Sequence, residues 1–351
     1  MNEKLTLFLN ERQIPHRTGV FLKYETYLKK GGRANYLIEP NNVDKFISVL
    51  EFLFKNKLPY KVIGLTSNLY FLDELEYDII ISTKSLKSIR VDTDANVINV
   101  DSGYSLEEFV RVVLIQNGIG FEGLEGVPAS IGGALFMNAS AYGYSISDHL
   151  LAVTVIDDNA NIHTLNNSEC EFSDKSSLFK RNKGYTILSA KFSFNNGDQK
   201  SSADKIRKFH IARHTYQEFS YPNLGSLYST QGDIYREISR DSFYFKIYIF
   251  ILKVLFKNPI SKFLFRKNPH NRVFNKIIIR FFGKTSFDIA ISDKSLNILI
   301  NNGASDYQTI KKHINLLGSH LKEQTLLENE IVLSPLAKSM HNKDIIKGGL
   351  I

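Results

Sequence analysis

Apolar positions near the start of the chain change period from helical to alternating. Val43, Phe46, Ile47, Leu50, Leu53 and Phe54 share one helical face, which predicts a helix over 43–57. Short apolar runs at 34–39, 60–64 and 78–82 read as strands, with Pro40-Asn41-Asn42 as a turn and 65–68 as a small-residue loop. Together they predict a β-α-β unit over 31–85, preceded by a short helix and lead-in within 1–30.

Further strands are expected at 88–91, 97–100, 153–157, 162–165 and 186–194, with an amphipathic helix at 106–117. Asp157–Asn161 and Asn195-Asn196-Gly197 read as hairpin connections. A third region starts near Asp204 and closes with a helix over 306–325 and a strand over 330–333. This is an α+β layout without the regular alternation of a doubly wound sheet, and no repeat is visible.

Composition narrows the picture little: 351 residues at 43% hydrophobic suit two or three globular domains. Cys170 is the single cysteine, which argues for a reducing compartment. The first residues, MNEKLTLFLNERQ, do not read as a signal peptide, and no uncharged apolar run of about 18 residues occurs, so the cytoplasm is expected. Charge is more informative. Residues 236–284 hold twelve Lys/Arg and two acids, a local +10 within a whole-chain +8.

The densest chemical signal is Gly120-Phe-Glu-Gly-Leu-Glu-Gly-Val-Pro-Ala-Ser-Ile-Gly-Gly-Ala-Leu-Phe-Met-Asn-Ala-Ser-Ala-Tyr-Gly143, with the carboxylates Glu122 and Glu125. Exposed peptide N–H groups running into a helix start make an anion-binding concavity, so the stretch reads as a pyrophosphate cradle. Gly283-Lys284-Thr285 lacks the earlier glycine of a phosphate loop, having Ile278 there. His210 and His214 have zinc-site spacing without its glutamate or a cysteine cluster, so no metal is expected and both read as solvated. No G-x-G-x-x-G follows a strand.

Read whole, 120–143 resembles the flavin signature of the UDP-N-acetylenolpyruvoylglucosamine reductase family, G-L-E-x-L-x-G-I-P-G-S-V-G-G-A followed by M-N-A-G-A-Y-G. Thr26 with Gly31-Gly32-Arg33-Ala34 resembles that family's T…GG-x-A, and Gly64-Leu65-Thr66-Ser67-Asn68-Leu69 its G-x-G-S-N-L, with Thr66 for a glycine. The resemblance implies two FAD-binding subdomains of the vanillyl-alcohol-oxidase-like type (1–86 and 87–200). A C-terminal α/β substrate domain (201–325) carrying a basic aromatic insertion and a final strand and tail (326–351) follow. It places FAD against Gly31, Gly32, Gly64, Thr66, Ser67 and Asn68 on one side. On the other it implies Gly126, Pro128, Ala129, Ser130, Gly132, Gly133, Asn138, Ala141, Tyr142 and Gly143.

The same resemblance implies NADPH as hydride donor and a nucleotide-sugar acceptor carrying an enolpyruvyl group, in peptidoglycan precursor synthesis. In Asn223-Leu224-Gly225-Ser226-Leu227-Tyr228, Ser226 falls on the family's proton-donor serine. Leu327-Glu328-Asn329-Glu330-Ile331 places Glu330 on its C-terminal glutamate, and Asn223 and Asn297 are expected at the substrate. The family's C-x-F-x-Y-R-x-S-x-F-K reads Cys170-Glu171-Phe172-Ser173-Asp174-Lys175-Ser176-Ser177-Leu178-Phe179-Lys180. Lys175 therefore stands where the resemblance implies a carboxylate-holding arginine, and it keeps the charge without the planar fork. Asp174 stands for the tyrosine, placed beside Lys175 where it could pair with it and blunt it. Ser295 replaces a family histidine.

Between the Ser226 motif and Gly283 the chain reads as longer than the family pattern. Lys246, Lys253 and Lys257 fall near one face of a helix over 243–257, ended by Asn258-Pro259. Two uses fit: packing on the third domain or in a dimer, or docking through 241–282 on an anionic membrane surface, peripheral to the inner membrane. No nucleic-acid-binding module is present. Three functions follow: the enolpyruvyl reductase; a diverged flavin oxidoreductase acting on another nucleotide sugar or a lipid-linked glycan in surface-polysaccharide synthesis; and a non-catalytic flavin-binding, membrane-associated protein.

Overall fold

The structure is a computed structural model describing residues 2–230, 234–240, 242–256, 259–260, 274–275, 277–278, 291–292, 294–304, 306–319, 321 and 327–332. The β-α-β unit forms as expected. Strands Arg33–Ile38, Glu76–Ser82 and Lys61–Ile63 lie parallel in that order, and His16–Phe21 adds antiparallel at the edge. The Val43–Lys55 helix is capped by Asn42, whose side chain accepts the Lys45 N–H. It buries Phe46, Val49, Leu50 and Leu53 against these strands, each worth about 2 kcal/mol of apolar transfer. It stops short of the expected end because Lys57 turns left-handed, at φ 52°.

The second sheet is antiparallel, in the order Ile162–Asn166, Leu150–Asp157, Tyr185–Ser193, Val97–Asp101, Ile89–Asp92. The helix Leu106–Ile115 and the Gly120–Gly143 stretch pack on it through Phe109, Phe121, Leu124 and Leu135. Asn195–Asn196 is no hairpin turn: it pairs with Gly118–Ile119 and leads into the long helix Gln199–Tyr216.

In the third region, Asn223–Ser226 pairs with Ile298–Ile300 beside the helix Tyr307–Gly318, which ends earlier than expected. The Phe243–Phe256 helix contributes Phe245, Ile249 and Leu252 to this core. The chain then returns to the first sheet's neighbourhood, where Glu330–Val332 runs parallel to Leu69–Phe71. Lys257, Asn258, Gly283, Leu333, residues 322–325 and the tail 333–351 lie outside the described residues. Among the described residues no helix is long and apolar enough to cross a membrane.

Candidate active site

The three regions enclose a cleft of about 670 Å³. Its walls are the turn Gly64–Asn68, the loop from Gly126 to Ala134, and the third region's Asn223–Ser226 with Glu328 and Glu330. Two joints hold the walls together. The Asn329 amide donates to Asn68 Oδ1 at 2.8 Å and to the Leu224 carbonyl at 3.1 Å. The Glu330 N–H donates to the Asn68 carbonyl at 2.9 Å, and Asn68 Nδ2 to the Glu328 carbonyl at 2.8 Å.

The Gly64–Asn68 turn is built to receive an anion. Thr66 sits at φ 61°, costly for a β-branched residue. Its hydroxyl offsets that by donating to the Leu65 carbonyl at 2.7 Å and accepting the Tyr27 N–H at 2.8 Å. The N–H groups of Leu65, Thr66, Ser67 and Asn68 have no acceptor among the described residues. Successive unpaired N–H groups around a left-handed residue form a concave anion site, which fits the diphosphate of FAD.

The Gly120–Gly143 stretch behaves differently, and the expected cradle at its helix start is corrected here. Ile131 N–H donates to the Tyr104 carbonyl at 2.9 Å, Gly132 to Ser102 at 2.7 Å, and Ala134 to Ser130 at 2.8 Å. Gly133 N–H donates to Ser130 Oγ at 3.2 Å. These donors are spent inside the protein. What the stretch presents is small surface: Gly126, Pro128, Ala129, Ser130, Gly132, Gly133 and Ala141 line the cleft beside Gly64, Thr66, Ser67 and Asn68.

Gly31, Gly32, Asn138, Tyr142 and Gly143 do not line it, and four of them have packing or bonding reasons for their places. Gly31 N–H binds Asp73 Oδ1 at 2.6 Å, and a Cβ at Gly32 would stand 2.0 Å from the Leu75 carbonyl oxygen. Asn138 donates to the Ser173 carbonyl at 3.0 Å. Tyr142 stacks on Phe209 at 4.6 Å and has the Arg213 guanidinium 5.0 Å from its ring centroid.

The two carboxylates of the stretch are structural. Glu122 accepts the Gly120 N–H and the Ser202 hydroxyl, each at 2.8 Å. Burial alone would raise its carboxyl, but these hydrogen bonds hold it below the usual range. Buried Glu125 takes Arg111 and His210, so His210 is not simply solvated; His214 stacks on Phe219 at 4.4 Å. Both carboxylates thus fasten neighbouring helices to the glycine loop.

Of the expected catalytic groups, Ser226, Lys175 and Glu330 all line the cleft. Ser226 is exposed at the end of its strand. Lys175, held at φ 52°, points Nζ to within 3.5 Å of Ser140 Oγ and its carbonyl. Asp174 does not pair with it among the described residues. Glu330 forms an ion pair with Lys61. Cys170 is buried, which pushes its thiol up to about 12 and leaves it unreactive.

The two asparagines part company. Asn223 lines the cleft while its amide donates to the Glu218 and Tyr221 carbonyls. Asn297 is buried elsewhere, both ends of its amide spent on the Tyr228 backbone at 2.8 and 3.0 Å, so its expected substrate role is corrected to a structural one. Sequence reasoning missed Lys61, Glu328, Arg213 and Gln217 in the cleft. Burial raises the Glu328 carboxyl above its ordinary value, with Lys175 pulling it back down. No sequence signal marks Arg213, whose 5% exposure comes from packing against the glycine loop, where it donates to the Gly123 carbonyl at 2.7 Å.

Residues 34–166 match the family model described as FAD binding domain. The UDP-N-acetylenolpyruvoylglucosamine reductase of Carboxydothermus hydrogenoformans is 35% identical over 213 residues, 61% of this chain and 70% of that protein. The Streptococcus suis protein of the same name is 32% identical over 207 residues, covering 59% of this chain and 68% of its own. The crystal structure of UDP-N-acetylenolpyruvylglucosamine reductase from Thermus caldophilus superposes with a TM-score of 0.65 at 20% identity. It covers 91% of this chain and 99% of the other, so the two share a fold.

Proposed function

The chain belongs to the UDP-N-acetylenolpyruvoylglucosamine reductase family, and from that premise we propose an FAD-dependent reductase that uses NADPH to reduce the enolpyruvyl group of UDP-N-acetylglucosamine enolpyruvate. The observation that carries this reading is one cleft lined by the open Gly64–Asn68 turn and by Ser226, Lys175 and Glu330 together. When bound, FAD supplies the hydride relay between NADPH and the enolpyruvyl carbon.

The chain's own residues supply the rest. Leu65–Asn68 N–H groups hold the diphosphate. The exposed Ser226 hydroxyl delivers the proton that completes reduction of the double bond, one carbon having taken the hydride. Lys175 stabilises the enolate charge that develops between those events. Lys61 holds the Glu330 side chain in an ion pair at the cleft wall. The reading also places the protein in the cytoplasm, in peptidoglycan precursor synthesis.

Lys175 and Asp174 favour a second reading, a flavin oxidoreductase of this fold acting on another nucleotide sugar or a lipid-linked glycan. Anaerobic NADPH titration of the purified yellow protein, followed by addition of the enolpyruvyl substrate, separates the readings. Flavin that bleaches with NADPH and recolours with that substrate supports the reductase. Flavin that bleaches but does not recolour supports the second reading, and flavin that never bleaches supports a non-catalytic flavoprotein. Lys175→Arg should raise turnover of the enolpyruvyl substrate under the first reading by about tenfold, the scale of one improved charged contact.

A further inference from the structure

The Phe243–Phe256 helix is apolar on two sides. One side, Phe245, Ile249 and Leu252, is buried in the third region's core. The other carries Phe243, Tyr244, Ile247, Phe250, Ile251, Val254 and Leu255, and all seven are exposed, Phe243 by 71%, Tyr244 by 82% and Phe250 by 66%. At 100° per residue these seven form one continuous outward stripe, and Lys246 and Lys253 lie along one border of it.

Charge selects what covers this stripe. From Ser242 to Lys284 the sequence holds ten Lys/Arg and no Asp or Glu. The helix itself carries lysine and no acid, so a second copy docking through the same face would bring two lysine-bordered, acid-free faces together and pay like-charge repulsion. Nucleic acid would take the cations but leave the aliphatic side chains in water. An anionic lipid surface takes both: apolar side chains enter the acyl boundary while exposed Lys246 at the border reaches the headgroups. The helix lies with its inward side buried in the third region's core, so it can meet a bilayer only in the interface plane.

We propose that the outward face of this helix docks the protein onto an anionic lipid surface. Full-length protein should co-sediment with mixed phosphatidylglycerol–phosphatidylcholine vesicles and not with phosphatidylcholine alone, and the binding should weaken as salt is raised. Phe250→Asp should cut partitioning by at least about tenfold, from the lost burial of one aromatic side chain. Lys246→Glu should cut it about fivefold or more. Both sites are exposed, so the melting curve and flavin content should match the parent. The chain has no tryptophan, so Phe250→Trp provides a single reporter whose emission should shift blue on adding mixed vesicles. Absence of vesicle binding, equal binding to both vesicle types, or full binding by Phe250→Asp overturns the proposal. So does a parent dimer that Phe250→Asp converts to monomer without any vesicle binding, which would make the stripe a contact between copies.

Discussion

Two glycine-bearing turns meet at the cleft, Gly64–Asn68 and Gly126–Gly133, and they use their backbones in opposite ways. The first keeps the N–H groups of Leu65 to Asn68 clear of protein acceptors, with Thr66 rather than glycine at the left-handed position. The second is far richer in glycine, yet its helix start donates to Tyr104, Ser102 and Ser130. Where the two turns touch, it is the first turn's glycine that permits close approach: a Cβ at Gly64 would stand 2.2 Å from Ser130 Oγ. Glycine density therefore does not by itself mark the anion site, which is marked by donors left over.

That contrast breaks first at Gly32, a residue expected at FAD. Its absent Cβ is displaced by two backbone carbonyl oxygens, Leu75 at 2.0 Å and Asp73 at 2.8 Å. Gly32→Ala should cost about 3 kcal/mol or more of stability in urea unfolding, because backbone cannot step aside as a side chain tip can. Unchanged stability with lost flavin would return Gly32 to the cofactor site.

Next comes the open turn itself. Ser67→Asp puts a carboxylate where the reading places a diphosphate, and like charges in contact cost several kcal/mol, so FAD affinity should fall at least about a hundredfold. Stability of the flavin-free protein should move by no more than about 0.5 kcal/mol. A variant that retains its flavin through desalting would remove the diphosphate from this turn.

How far these differences could be read in advance depends on how local their causes are. The helix at Val43 and the hairpin across Asp157–Asn161 are written in neighbouring residues, and both form. Leu69–Phe71 was invisible because its partner, Glu330–Val332, lies at the far end of the chain and each strand has three residues. His16–Phe21 was missed because HRTGVF is a half-exposed edge strand with a charged residue and a glycine in place of alternation. At the site, Ser226, Lys175 and Glu330, far apart in the chain, line one cleft. It could not show that Asn297 spends its amide on Tyr228, since hydrogen-bond partners are settled by packing across two strands.

A smaller effect sharpens the contrast from the sealed side. Ser130 caps the Ile131–Phe136 helix by accepting the Gly133 N–H. Ser130→Ala should cost about 1 kcal/mol of stability, the usual loss of a cap, as measured by thermal unfolding. FAD affinity should change less than about threefold, because the donor that Ser130 holds is not offered to the ligand. A hundredfold loss of flavin with stability intact would mean that the Ser130 hydroxyl itself meets the cofactor.

The smallest expected effect separates close approach from hydrogen bonding. Gly133 is exposed, lines the cleft, and would place a Cβ against nothing nearer than Ser130 Oγ at 3.3 Å. Alanine gains up to about 1 kcal/mol of helix propensity, partly offset by that tight contact, so Gly133→Ala should leave stability within about 0.5 kcal/mol. Its N–H is already committed to Ser130, so the substitution removes no donor from the ligand. If the diphosphate rests on Leu65–Asn68 alone, flavin affinity should fall less than about threefold in a fluorescence titration. A large fall would show that the cofactor lies flush against the sealed turn as well, so that its glycines serve the ligand through space even though their N–H groups serve the fold.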